Sequence, residues 1–293
     1  MNHVIRAGET TTGAFELVIT AESAGWHHSG LRVLALEAGQ KESFSTGDDE
    51  YMVLSLGGSA DVVVDDVAFA LEGRADVFSG PSDVVYAPRD ADVTISSADG
   101  GRFALCAART QRRLEPSYLS RADVPVEMRG AGIASRQVNN FGVPGVLEAD
   151  RMIACEVLTP AGNWSSWPPH KHDEERDGET KLEEIYYFEV RPAEGGPADA
   201  SAAFGLQRVY GHEGADIDVT AEVRSGDAVL IPHGWHGPSV AAPGYDLYYL
   251  NVMAGPGAER AWLICDDPAH AWVRDTWADQ AVDGRLPFGG AVR

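Results

Sequence analysis

Lysine is nearly missing from this chain. Only Lys41, Lys171 and Lys181 carry it among 293 residues, and arginine supplies the remainder of 23 basic side chains against 45 acidic ones. The resulting net charge of -22 argues against nucleic acid and against an anionic membrane surface as partners. Cysteine is scarce as well. Cys106, Cys155 and Cys265 are odd in number, widely spaced and free of any CxxC pattern, as expected of a reduced intracellular protein with buried thiols. No apolar run approaches transmembrane length, and MNHVIRAGET lacks the apolar stretch of a signal peptide. These absences predict a soluble, cytoplasmic protein.

What is present is β-structure. With 44% hydrophobic and 23% charged residues, the chain can bury a core of ordinary size. From Phe15 to Arg109, LRVLALEAG, EYMVLSLGG, ADVVVDDVAFALEG, DVVYAP and DVTISS recur at the spacing of an all-β sandwich or barrel. Residues 110–150 carry scattered Pro and Gly with little periodicity, and read as a crossover packed on the surface. Arg129 and Arg136 within it read as solvated charges, with a role in the pocket as the alternative. The β pattern resumes at Arg151. Asp267-Pro268, ahead of AHAWVRDTWADQ, predicts the N-cap and first residue of a short C-terminal helix. His270 there reads as a surface or packing residue.

The two β-rich halves look like copies. Glu50-YMVLSL resembles Glu184-IYYFEV, and Ser82-DVVYA-Pro88 resembles Gly226-DAVLI-Pro232, so an internal duplication is expected. The predicted division is 1–110, 111–150 and 151–293.

Only the second half carries chemistry. In WSSWPPHKHDEERDGETKLEEIYYF (164–188), His170 and His172 stand two apart, so on a strand their imidazoles leave one face. Glu183 and Glu184 open a β-prone run, and a Pro-rich turn leads to His233 and His236. Two histidines on one strand, a carboxylate on the next and a third histidine beyond a turn suit one divalent metal. The first copy is chemically empty. ALEAGQ stands where the histidine strand would fall, Asp92 stands at the place of His236, and Glu50 remains alone. His27 and His28 are adjacent, point to opposite faces, and read as loop histidines.

HxH, a Glu before a β-run, and G-x5-P-x-G followed by His resemble the two cupin motifs. Within the cupins, NWSSWPPHKHD, LEEIYYF, FGLQRVY and AAPGYDLYYLNVMAGP resemble the 5-deoxy-glucuronate isomerase family of bacterial inositol catabolism. The resemblance implies a bicupin: two tandem jelly-roll β-sandwiches with a short terminal helix, the first without metal. It implies one metal held by His170, His172, Glu184 and His236. His233 competes as third histidine, because Trp235 alone separates Gly234 from His236 where the cupin pattern has two residues. Zn or Mn is the expected ion, and Fe or Ni would accept the same ligands.

The implied reaction converts 5-deoxy-D-glucuronate to 2-deoxy-5-keto-D-gluconate. A small anionic sugar acid is then the partner, and self-association stays open. Proton-transfer candidates are Tyr186, which shares the face of Glu184 by alternation, Tyr248, Tyr249 and Asp246. Arg208 in FGLQRVY is the expected grip for the substrate carboxylate. Lys171 should point away from the metal. Alternatives are a uronate ketol-isomerase of pectin breakdown, an Fe(II) cupin dioxygenase, and a non-enzymatic sugar-binding cupin.

Overall fold

The β-prone runs found in the sequence become strands of two kinds: outer ones such as Ala215–Val223 alternate buried and exposed side chains, and central ones such as Tyr245–Ala254 are buried on both faces. The computed structural model describes residues 2–196 and 199–290. In the first half the strand Asp49–Val64 is the spine. Its early residues pair with Val84–Ala87 and Gly101–Arg109, and its late residues pair with Val67–Arg74 and Asp92–Ser96. The run ADVVVDDVAFALEG is thus two strands, split by a hairpin in which Asp65 takes a φ of 51°. Ser29–Leu36, Phe15–Ile19, Lys41–Ser45 and Ser117–Leu119 complete a nine-stranded sheet.

The second half is a sandwich of two sheets. One has seven strands in the order Val4–Ile5, Ala228–Ile231, Glu183–Pro192, Tyr245–Ala254, Ile153–Thr159, Arg136–Gly142, Val126–Arg129. The other is built from Ala215–Val223, Gly205–His212, Trp235–Ala241, His170–Lys171 and Cys265–Asp266, with Trp164–Ser165 beside Trp235–Ala241. Tyr186, Phe188, Tyr249 and Met253 meet Val209, Val219, Ala221 and Ala241 in the core between them. The odd-numbered neighbours Ile185 and Tyr187, with Tyr248 and Leu250, pack from the opposite face onto Leu31, Val33, Met52 and Leu54 of the first half. A strand buried on both faces loses the apolar–polar alternation, which explains why IYYF and YDLYYL read as continuous apolar runs.

The expected divisions need correction at both ends. Val4–Ile5 belongs to the second sandwich, antiparallel to Ala228–Val229. Residues 111–150 are no bare surface crossover: Ser117–Leu119 extends the first sheet, and Val126–Arg129 and Arg136–Gly142 extend the second. Their periodicity was hidden because RQVNNFG buries polar side chains. Gln137 and Asn139, both fully buried, link through hydrogen bonds to Glu156, which pairs with Arg74 of the first half. The C-terminal helix is a 3-10 helix, Ala271–Asp279, with His270 at its N-cap. Asp267 caps only the turn before it, accepting from the Ala269 amide.

Candidate metal centre

His170 stands on a two-residue strand whose partner across the ladder is His236. The Gly234 and Gly237 positions flanking that histidine need glycine. Both have φ near +100° (93° and 107°), and a Cβ at Gly237 would fall 1.9 Å from the Ser166 carbonyl oxygen. Glu184 faces the same interior from the opposing sheet, next to Ile231 and Met253. His170, His172, Glu184 and His236 are all buried.

Their proton positions follow from their partners. His170 Nδ1 lies 3.4 Å from the Pro168 carbonyl, His172 Nδ1 3.3 Å from Leu182 O, and His236 Nδ1 3.2 Å from Gly234 O. A carbonyl only accepts, so each Nδ1 carries the proton and each Nε2 turns a lone pair inward. His172 Nε2 and His236 Nε2 lie 3.1 and 3.2 Å from the same oxygen of Glu184, and His236 Nε2 has no hydrogen-bond partner. Donor atoms of these three residues fall within 4.8 Å of one another. The His170 ring stands beside them, 4.5 Å from that of His236 between centroids. Lone pairs and a carboxylate converging in a dry interior repel each other unless a cation lies between them, so the residues present fit a divalent metal.

The titration behaviour agrees with that chemistry. Burial pushes His170 down to about 3, helped by His172, and pushes His236 well below its ordinary value. Both stay neutral, as ligands must. Burial also raises Glu184, while for His172 burial is outweighed by the hydrogen bond and charge of Glu184 taken together with backbone hydrogen bonds, which raise its affinity for a proton.

The other predicted residues divide sharply. His233 is half-buried outside the cluster, with Nε2 3.2 Å from Asp216 O, so His236 is the histidine brought to the site. Glu183 faces the first half, as alternation requires, and accepts backbone N–H bonds from His27, His28 and Ser29. Tyr186 faces the metal centre, its ring 6.1 Å from that of His236. Its hydroxyl lies 3.0 Å from Ser166 Oγ, which lies 3.0 Å from the Tyr249 hydroxyl, and Tyr249 donates to Ser165 Oγ at 3.0 Å. Burial raises both tyrosines, so they keep their protons.

Tyr248 is corrected. It points to the interface and donates to Glu156 at 2.8 Å. Asp246 lies away from the cluster, paired with Arg191 and bonded to the Ala161 amide. Arg208 is corrected too: Val209 beside it enters the core, whereas Arg208 lies exposed on the outer face, 4.6 Å from the Tyr210 ring centroid. Lys171 turns away from the histidines as expected, yet it is buried among Asp173, Glu174 and Glu179.

Arg136, expected to be solvated, is only 5% exposed. Sequence reasoning passed over Ser166 and Asn251 altogether. Ser166 sits beside the PPHKH motif and Asn251 within the YDLYYLN block, where alternation from Tyr249 would have placed Asn251 inward.

With this geometry in place, the likeness to known proteins can be stated. Residues 3–273 match the KduI/IolB family. A 5-deoxy-glucuronate isomerase of Geobacillus thermodenitrificans is 40% identical over 261 residues, covering 88% of this chain and 90% of its own length. Among solved structures, an IolB-like protein of Salmonella typhimurium superposes with a TM-score of 0.83 at 33% identity, covering 93% of this chain and 99% of its own. Oxalate decarboxylase of Lactobacillus farciminis shares the fold alone, with a TM-score of 0.64 at 12% identity over 91% of this chain and 88% of its own.

Proposed function

Because the chain belongs to the KduI/IolB family, we propose that it is a metal-dependent aldose–ketose isomerase. Its reaction is the conversion of 5-deoxy-D-glucuronate to 2-deoxy-5-keto-D-gluconate in inositol catabolism. The observation that carries this reading is the convergence of imidazole Nε2 lone pairs on Glu184 inside a buried chamber, in a chain whose relatives along most of its length bear the name of that isomerase.

His172, Glu184 and His236 would hold the metal, with His170 closing the set. The oxygen and imidazole donors suit Zn or Mn, and also Fe or Ni. When bound, such an ion supplies Lewis acidity that polarises a carbonyl and its neighbouring hydroxyl. The chain's own residues supply the rest. Burial keeps bulk water from the reacting carbons. The Tyr186 hydroxyl, still protonated, shares a hydrogen bond with Ser166, which in turn contacts Tyr249, and would turn from Ser166 to donate to a substrate oxygen.

The test is an anaerobic assay of purified protein with 5-deoxy-D-glucuronate, followed by NMR and repeated after chelation and metal restoration. Ketose formation that disappears with the metal and returns with it is the expected result. Oxygen consumption without ketose would make the chain an oxygenase. Faster turnover of the unsaturated-pectin uronate would move it to the other ketol-isomerase reading.

A further inference from the structure

Three arginines gather where the C-terminal tail crosses the seven-stranded sheet, and they are not equivalent. The tail docks on this corner through Gly132 N to Ala281 O, Asp283 N to Ser135 Oγ and Phe288 N to Gln137 Oε1. Arg129 grips Glu127 with two hydrogen bonds, at 2.7 and 3.0 Å. Arg274 grips Asp266 in the same two-pronged way. Arg136, the most buried of the three, has no carboxylate within ion-pair reach among the described residues. Its one protein acceptor is the Ala134 carbonyl, 3.1 Å from Nη1.

A buried cation without an anion is disfavoured, so natural chains pair such groups. This chain has almost twice as many acidic as basic side chains, so a partner would be easy to supply. Gly130, at a φ of 75°, lies against the guanidinium, and a Cβ there would stand 2.7 Å from Nη1. The Trp277 ring faces the guanidinium carbon at 5.6 Å from the ring centroid.

Arg136 lies on the face of its strand that turns toward the core of the second sandwich. Val138, two residues on and on the same face, sits in the core with Tyr186 and Tyr249. The positive charge of Arg136 opposes the burial-driven rise of the Tyr249 hydroxyl in that core. Burial in turn lowers Arg136 itself to about 10, which leaves it charged at neutral pH. A second unpaired donor faces the same interior. Asn251, between Tyr186 and Cys155 in the ladder, is 3% exposed and its Nδ2 has no partner.

We propose that Arg136 is the seat of the substrate's carboxylate, with Asn251 donating to an oxygen of the chain between that carboxylate and the metal-bound end. The inference rests on the isomerase reading above and adds what it lacked, the group that selects an acid over a neutral sugar. Five guanidinium N–H donors, of which the protein uses one, suit a two-pronged hold on a carboxylate.

The experiment compares wild type, Arg136→Met and Arg136→Lys on 5-deoxy-D-glucuronate and on the analogue whose carboxylate is reduced to a hydroxymethyl group. For the acid, Arg136→Met should lose about ten- to a hundredfold in kcat/KM, mostly through KM, and Arg136→Lys should recover part of it. Metal content should stay at the wild-type level. The neutral analogue should be handled alike by wild type and Arg136→Met. Thermal stability of Arg136→Met should equal or exceed that of wild type, because an unpaired buried charge is removed. Equal losses on acid and neutral substrates, a fall in melting temperature with lost metal, or unchanged kinetics on the acid would each overturn the assignment. Should Arg136→Met not fold, Arg136→Lys carries the test, and wild-type selectivity for the acid in it would count against the two-pronged hold. If wild type does not isomerise the acid at all, the isomerase reading fails separately. The seat is then judged by whether the acid raises the melting temperature of wild type and not of Arg136→Met; equal shifts sink it.

Discussion

The two halves of the molecule share a sheet plan and differ by what one pair of positions faces. In the second half Glu183 and Glu184 open a central strand, and Glu184 lies across from Ile231, just before Pro232. In the first half the residue across from Ala87, just before Pro88, is Tyr51 and not Glu50. The counterpart of the metal-facing glutamate is therefore a tyrosine, and Glu50 is the counterpart of Glu183. The structure bears this out in function. Glu183 accepts the amides of His27, His28 and Ser29 from the first half. Glu50 accepts those of Asp150, Arg151 and Met152 from the second, along with the Tyr86 hydroxyl at 2.7 Å. The two carboxylates are reciprocal clasps between the halves.

Tyr51 instead points into an apolar interior with Val53 and Leu105. Burial pushes its hydroxyl up to about 12. The histidine strand has its counterpart in Lys41–Ser45, not in ALEAGQ: Ser45 faces Asp92 as His170 faces His236. Phe44 occupies that strand, edge-on to Tyr51 at 5.3 Å between centroids. One register position thus separates a binding chamber from a packed core.

Substitutions can break or sharpen this contrast. Glu184→Ala should strip the metal and lower activity by on the order of a hundredfold or more, since even residues behind the ligands contribute tenfold to a hundredfold. Metal analysis beside the kinetics checks it, and full metal occupancy would remove Glu184 from the ligand set. The adjacent tyrosines come next. Tyr186→Phe should lower kcat by about a hundredfold with metal retained, whereas Tyr248→Phe should leave kcat alone and cost about 1 kcal/mol of stability through its lost bond to Glu156. Equal kinetic losses in the two variants would erase the distinction between the two faces.

The clasps should behave as a pair. Glu50→Gln is expected to destabilise the protein by about 2–3 kcal/mol and Glu183→Gln by somewhat less, both without changing metal content. Denaturant unfolding with metal analysis reads both, and loss of metal in Glu183→Gln alone would assign it to the site. The smallest effect is expected at Arg208. Arg208→Ala should stay within about twofold of wild type in kcat/KM, because an exposed cation outside the chamber contributes little.

Much of this was legible before any coordinates. The HxH spacing and the β-run after Glu184 carried the cluster, because a period of two fixes which side chains share a face. The same rule placed Tyr186 inward. It was not applied to YDLYYL, so Tyr248 and Tyr249 stood side by side as candidates although only Tyr249 shares the inward face. Arg208 misled because its charge was weighed without asking which strand face it takes: Gln207 and Val209 on either side both turn inward, which leaves Arg208 outside. Arg136 could not be read as buried from sequence. Its strand is lined by glutamine and asparagine, and their burial depends on a network that closes through Glu156 and Arg74, far away in the chain. The one-residue error in the duplication arose because Glu50 and Glu184 each precede an apolar run, and only the ladder shows that their registers differ.

The strand Val4–Ile5 has a consequence for how the protein is made. Arg6 reaches Asp227, 221 residues further along the chain, so Val4–Ile5 has no sheet to join until the Ala228–Ile231 segment has been synthesised. At translation speeds of 5–20 residues per second this wait is roughly 10–45 s. Meanwhile the first jelly roll, whose strands lie close together in sequence, can form. The opening residues then act as a latch. They bind the edge of Ala228–Ile231 only once the second half exists, and cover an apolar strand that would otherwise invite pairing with another nascent chain.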